Sequence, residues 1–165
     1  MVASFRMNCS FSKDRIRISS RGVITGILFI SVGDHSFPDN GWDDFVLRVL
    51  SMWGRSAINL LNGKNQEEFL FMDGSFSFKL EKIDALSYKI EGLYYGLNEI
   101  DIVFEDVILL DELLKEIIQV QEALFSYIAD NNWAVENVNA YVNQLNILKQ
   151  GISRTRKIIF NKADI

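Results

Sequence analysis

Residues 37–80 constrain the fold more than any other part of the chain. FPDNGWDDFVLRVLSMWGRSAINLLNG (37–63) runs almost directly into EEFLFMDGSFSFKL (67–80). The stretch holds the only proline, two of the three tryptophans, an acidic pair and one long apolar helical face. Phe45, Val49, Met52 or Trp53, Ser56 and Leu60 recur at steps of three and four, which predicts a helix from about Trp42 to Leu61. Asn40, in the polar corner Asp39-Asn40-Gly41, is the expected N-cap. Asp43 and Asp44 then fall in the first turn, where the helix dipole favours anions. Asn62-Gly63 is the expected stop. Gly54 in mid-helix costs about 1 kcal/mol relative to alanine, so a close backbone contact is expected there. Phe69 to Met72 should then pair with Phe76, Phe78 and Leu80 across Asp73-Gly74, a two-residue turn of type I′.

The flanks set the fold class. Phe5, Met7, Cys9 and Phe11 alternate with polar residues, as do Ile16 and Ile18, with Lys13-Asp14 as the expected hairpin turn between them. Residues 23–32 lack alternation and are rich in β-branched side chains, which suits a strand covered on both faces and ended by Gly33-Asp34. Leu86, Tyr88 and Ile90, then Ile100, Ile102 and Phe104, alternate again. From about 106 to 130 a broad apolar face runs through Val107, Leu110, Leu114, Ile117, Gln121, Leu124 and Ile128. A second helix from about 134 to 150 carries Val135, Val138, Val142, Leu145 and Leu148, with Asn137, Asn139, Asn143 and Asn146 opposite and Gly151 as its end. The expected fold is α+β: a mainly antiparallel sheet of six to seven strands, one helix after the third strand and two C-terminal helices. One domain should span 1–165, with 1–105 as the sheet plus helix 42–61, 106–150 as a helical pair and 151–165 as a basic tail. In that tail Ile158, Ile159 and Phe160 are expected to dock on the domain, leaving Arg154, Arg156, Lys157 and Lys162 solvated.

Charge is strongly segregated. Residues 1–65 carry a net +3, residues 66–136 a net −12 and residues 137–165 a net +4. An acidic centre argues against nucleic acid, which needs a contiguous basic surface. It suits either a basic protein partner, steered by long-range attraction, or simply solvated outer faces of strands and a helix. The single Cys9 excludes an internal disulfide, MVASFRMNCS holds no apolar signal core, and VITGILFISV (23–32) is too short to span a bilayer. A soluble cytoplasmic protein without membrane association is the expectation.

No catalytic or cofactor motif stands out. His35 is the only histidine and lies in a loop before Pro38; Cys9 lies at an apolar strand position. Adjacent carboxylates (Asp43/Asp44, Glu67/Glu68, Glu105/Asp106, Asp111/Glu112) do not define a glycosidase pair, which needs a cleft between its members. Asp39, Asp43, Asp44 and Asp73 lack EF-hand spacing. No Walker A segment or dinucleotide fingerprint occurs, so neither metal nor cofactor is expected. Trp53 reads as core. Trp42, at the helix start beside Asp43 and Asp44, and Trp133, beside two asparagines, read as interface anchors.

W-D-D-F at 42–45, the helix with Trp53, F-M-D-G at 71–74 and F-S-F at 76–78 together resemble a group of small bacterial proteins. That group has a W-x-D-F start, a tryptophan-bearing helix and an F-x-D-G turn, and belongs to the immunity-type proteins of polymorphic and contact-dependent toxin systems. The resemblance covers residues 37–80, about a quarter of the chain. It implies a non-catalytic, stoichiometric inhibitor that binds a cognate toxin, a basic one given the −12 block. Trp42, Asp43, Asp44, Asp73, Asp101, Glu105, Asp106 and Trp133 are the partner-binding candidates. Two other readings stand beside it: a module that self-associates through its C-terminal helices, and a carboxylate-dependent hydrolase.

Overall fold

A computed structural model describes residues 1–163. Its elements run β1 (Phe5–Cys9), β2 (Ile16–Ile18), β3 (Ile24–Val32), β4 (His35–Phe37), β5 (Asp43–Asp44), α1 (Val46–Leu61), β6 (Gln66–Leu70), β7 (Phe76–Lys82), β8 (Ser87–Tyr95), β9 (Ile100–Leu109), α2 (Leu110–Asp130) and α3 (Val138–Ala163). The class is α+β, with nine strands among the described residues, in two antiparallel sheets rather than six to seven in one. The helix expected after the third strand follows the fifth. The extra strands, HSF and DD, are too short and too polar to show an alternating pattern.

In the first sheet β3 is central. Its second half lies between β1 and β4 and its first half between β2 and β5. β1 and β2 both pair with β3 and not with each other, so Lys13-Asp14 does not turn a hairpin. The tight turn is Gly33-Asp34 instead: Val32 pairs with His35, and Gly33 takes the φ of +55° that glycine tolerates best. The second sheet is a meander in the order β6-β7-β8-β9.

α1 packs against both sheets through Val46, Leu47, Val49, Leu50, Trp53, Ala57 and Leu60. It begins four residues later than the sequence predicts. Residues 42–44 are committed to β3: the Leu28 N–H donates to the Trp42 carbonyl at 2.8 Å, and Asp43 and Asp44 pair with Ile27 and Gly26. The N-cap is therefore Phe45 and not Asn40, and no acidic residue lies in the first turn. Trp42 and Trp53 accordingly do not share a helix face. The stop at Asn62-Gly63 is as expected, with both N–H groups returned to helix carbonyls. Gly54 does meet a close contact, the Gln144 side-chain amide of α3.

The β6–β7 connection is longer than two residues. Leu70 pairs with Ser77, the Phe71 N–H reaches the Phe76 carbonyl at 3.1 Å, and residues 72–75 form the loop. α2 begins at Leu110 because residues 106–109 extend β9. α3 begins at Val138 and runs through Gly151, where the missing side chain accommodates Leu61. The basic segment is thus helical rather than a tail. Ile158 and Phe160 are exposed there and not docked; the side chains of Ile159 and Lys162 lie outside the described residues, as do Asp164 and Ile165. The breadth of α2's apolar face is used internally, since β1, β9, α1 and α3 all pack on it.

One carboxylate joins the two sheets. Asp44, only 2% exposed, accepts the Phe45 N–H at 2.7 Å and the Trp42 indole N–H at 3.1 Å. It also accepts the N–H groups of Met72 and Asp73, each at 3.1 Å. Its strand belongs to the first sheet and its last two donors to the loop of the second. Asp44→Ala leaves four N–H donors without an acceptor and should cost roughly 3 kcal/mol or more; Asp44→Asn, keeping one oxygen, should cost about half as much. Urea unfolding followed by tryptophan fluorescence measures both. An alanine variant within about 0.5 kcal/mol of the parent would show that Asp44 is not the clamp.

Candidate functional site

The eight residues singled out in the sequence fall in three places. Trp42, Asp43, Asp44 and Asp73 meet at the corner between the sheets. Trp42 is half-buried, edge-on to Phe76 at 5.3 Å, with its N–H on Asp44. Asp43 pairs with Arg17 at 3.0 Å. Asp44 is enclosed and bonded internally, so a partner cannot reach it. Asp73 is exposed beside it. Asp101, Glu105 and Asp106 lie along β9. Trp133, in the α2–α3 connection, packs edge-on to Tyr127 at 5.3 Å and belongs to neither group. The first two groups are linked by aromatic rings: Trp42 contacts Phe76, Phe76 contacts Tyr94 at 5.2 Å, and Tyr94 is the register partner of Asp101.

β9 leads onto the outer face of the second sheet. The inner face presents Phe69, Phe78, Leu80, Tyr88, Ile90 and Ile108 to the core. The outer face carries Glu68, Lys79, Glu91 and Glu105 as one row across all four strands. Glu91 is held by Lys89 at 2.8 Å and by Lys79 at 3.2 Å, and Lys89 also reaches Glu81 at 3.6 Å. The hydrogen bond from Lys89 keeps the Glu91 carboxyl below the usual carboxylate range, against the opposing effect of burial, with Lys79 adding to it. Glu68 accepts the Tyr95 and Ser77 hydroxyls. Burial, and then that bond to Glu68, raise the Tyr95 phenol. Among the described residues Glu99, Asp101, Glu105 and Asp106 form no ion pair. A hollow of about 340 Å³ lies at the β9 margin, lined by Glu81, Lys89, Glu105, Asp106 and Val107 among others. Lys82 and Lys89 line it together with its three carboxylates. A second cleft, about 870 Å³, lies between the β2–β3 turn, the start of α1 and the α2–α3 connection; its one carboxylate is Glu136.

Sequence reading missed Lys79, Lys89, Glu91 and Tyr95. The signal was present as Lys79-x-Glu81, Lys89-x-Glu91 and Glu105-x-Val107, a period-two pattern on the wet side of each strand. Which charges become neighbours depends on register, which the pattern does not contain. Cys9 and His35 lie apart from one another in environment. Burial pushes the Cys9 thiol up to about 12, and His35 stacks on Phe104 at 5.7 Å.

No protein-family model matches the chain, and no curated protein or solved structure matches it. Among the described residues no helix is long and apolar enough to cross a membrane.

The Glu91 arrangement predicts an acid limb of stability. A carboxyl depressed in the folded state contributes above its unfolded pKa, and the contribution is lost as pH falls through the folded value. Urea midpoints should fall between about pH 5 and pH 3 in the parent and fall less in Glu91→Gln. At pH 7 that variant should be roughly 1–3 kcal/mol less stable. Equal acid limbs in the two proteins would refute the assignment.

Proposed function

We propose that this protein is a non-catalytic binding protein that neutralises a cognate bacterial toxin in the cytoplasm by direct protein–protein contact. The observation carrying this reading is the uncovered outer face and margin of the second sheet. There Glu68, Glu81, Glu91 and Glu105 on the face, with Glu99, Asp101 and Asp106 at the margin, stand against Lys79, Lys82 and Lys89. Such a surface raises the encounter rate with a basic partner and excludes acidic ones. Inhibition by occlusion needs no nucleophile, metal or cofactor, only complementarity. The resemblance of residues 37–80 to immunity-type proteins supports the same reading.

Within the surface the roles differ. Glu91, with two lysines, holds the strands. Asp101, Glu105 and Asp106, without counter-ions among the described residues, are the attracting charges. Ile100, Ile102 and Val103, each more than half exposed, supply the apolar contact that turns an encounter into a complex. Trp42 and Asp44 act from behind by fixing the corner.

The test is co-production with the toxin domain encoded beside this gene, followed by titration calorimetry of the purified pair. Growth should be restored, and a complex should form whose dissociation constant rises roughly tenfold or more from about 0.05 M to about 0.5 M salt. Binding as tight at high salt as at low would remove the electrostatic part. Absence of both complex and protection would remove the function.

A further inference from the structure

The two edges of the second sheet are finished differently. On β6, side chains of α1 take the outward carbonyls: the Trp53 indole N–H donates to Leu70 at 2.8 Å and the Ser56 hydroxyl to Glu68 at 3.2 Å. On β9 only the upper end is met, where the Ala3 N–H donates to the Val107 carbonyl at 2.7 Å. That bond shows that the Val107 carbonyl points away from β8, and strand alternation turns the Glu105 carbonyl the same way. The Glu99 carbonyl is used by the Gly96 N–H within the β8–β9 turn. Among the described residues, no backbone hydrogen bond from an element other than β8 reaches residues 100–105.

Natural edges are protected by charged side chains, above all lysine, by proline, by bulges or by a covering element. This open segment has a bulge and carboxylates, which leave it open to a cationic strand, but no lysine or proline. Residues 90–114 contain no lysine, arginine or proline. Ile100 and Ile102 are each 57% exposed and Val103 is 53% exposed. The register shift opposite Gly92 and Leu93 leaves Val103 unpaired beside Ile102, which widens the apolar strip. Glu99, Asp101, Glu105 and Asp106 rim it.

We propose that β9 pairs, over residues 100–105, with a basic β-strand of the partner protein, which becomes a fifth strand of the second sheet. Backbone groups supply the pairing, the isoleucine strip the apolar contact, and lysine or arginine side chains on the incoming strand meet the free carboxylates. A second copy of this chain fits poorly, because pairing two β9 strands gathers Glu99, Asp101, Glu105 and Asp106 of both copies along one seam that brings no lysine or arginine. This inference rests on the reading of a basic protein partner and adds where and how that partner is held.

The probe is the peptide acetyl-Lys-Val-Lys-Val-Lys-Val-Lys-amide, titrated into isotopically labelled full-length protein and followed by amide NMR. Amide shifts and slowed hydrogen exchange should centre on residues 99–105. A peptide of identical sequence N-methylated at alternate residues keeps its charge but cannot pair, and should bind roughly tenfold or more weakly. The double variant Asp101→Lys, Glu105→Lys should lose binding to a similar degree. Because both sites are exposed, its urea midpoint serves as the folding control. The proposal is overturned if the N-methylated peptide binds as well as the parent or if the shifts centre on Lys79, Glu81, Lys89 and Glu91. A concentration-dependent dimer pairing through β9 would overturn it too. A toxin that still binds the double variant with full affinity overturns this inference and leaves the function standing. An edge that pairs with the peptide while no toxin is bound or neutralised overturns the function and leaves the edge site.

Discussion

The Asp44 carboxylate is the interaction on which the rest of the structure depends. It sits at the end of the shortest strand, DD, and gathers four N–H donors from both sides of a corner. A buried carboxylate is costly unless its lone pairs are used, and here they are. Its bonds to Met72 and Asp73 hold the 72–75 loop against the first sheet. Its bond to Phe45 sets the direction in which α1 leaves the corner. α1 then lies along β6, with Trp53 and Ser56 on that strand's outward carbonyls. The seal on the β6 edge therefore traces back to one side chain.

α3 is attached by a different logic. Among the described side chains of the helix Val138–Ala163, the buried apolar ones are Leu145, Leu148 and Ile152. Apolar contact of that extent specifies position weakly. Gln144 adds direction: its amide N–H donates to the Ser51 carbonyl at 2.9 Å, and its oxygen accepts from Gln121, which also donates to the Leu50 carbonyl. Gly54 is the opening in α1 that lets the Gln144 amide approach. The Gln121 oxygen is buried without a hydrogen-bond partner among the described residues. An orphaned oxygen costs about 1–3 kcal/mol, so this junction holds register more than it adds stability.

Much of this was legible because periodicity reports burial. The α1 face, the β7 and β8 alternation and the broad face of α2 all followed from spacing. The misplaced helix starts share one physical source. Asp39 to Asp44 has the composition of a helix start, and a local reading assigns it there. Long-range pairing with β3 wins, since Trp42, Asp43 and Asp44 complete backbone bonds that β3 would otherwise lack. The same competition lengthened β9 at the expense of α2, because Leu109 pairs with Ser87. Gly151 looked like a terminator but marks close approach to Leu61, a role glycine composition cannot distinguish. Of the candidate site, the acids of β9 were visible as charge. That they flank an open edge follows only from sheet order.

The outer face then carries a tension that its stability alone does not explain. Glu91 and Glu105 are register partners, and like charges directly opposite cost roughly 0.2–1 kcal/mol. Lys79 and Lys89 neutralise Glu91 from the β7 side and from its own strand, while Glu105, farther out, has no ion-pair partner among the described residues. A lysine at position 105 would relieve the repulsion and protect the edge at the same time, as edge strands commonly do. The chain instead has acids on both sides of an exposed isoleucine strip. A sheet selected for stability and monomeric solubility would place its cations outward. The proposed pairing with a cationic strand accounts for cations kept inside, against Glu91, and for carboxylates and unpaired backbone at the rim.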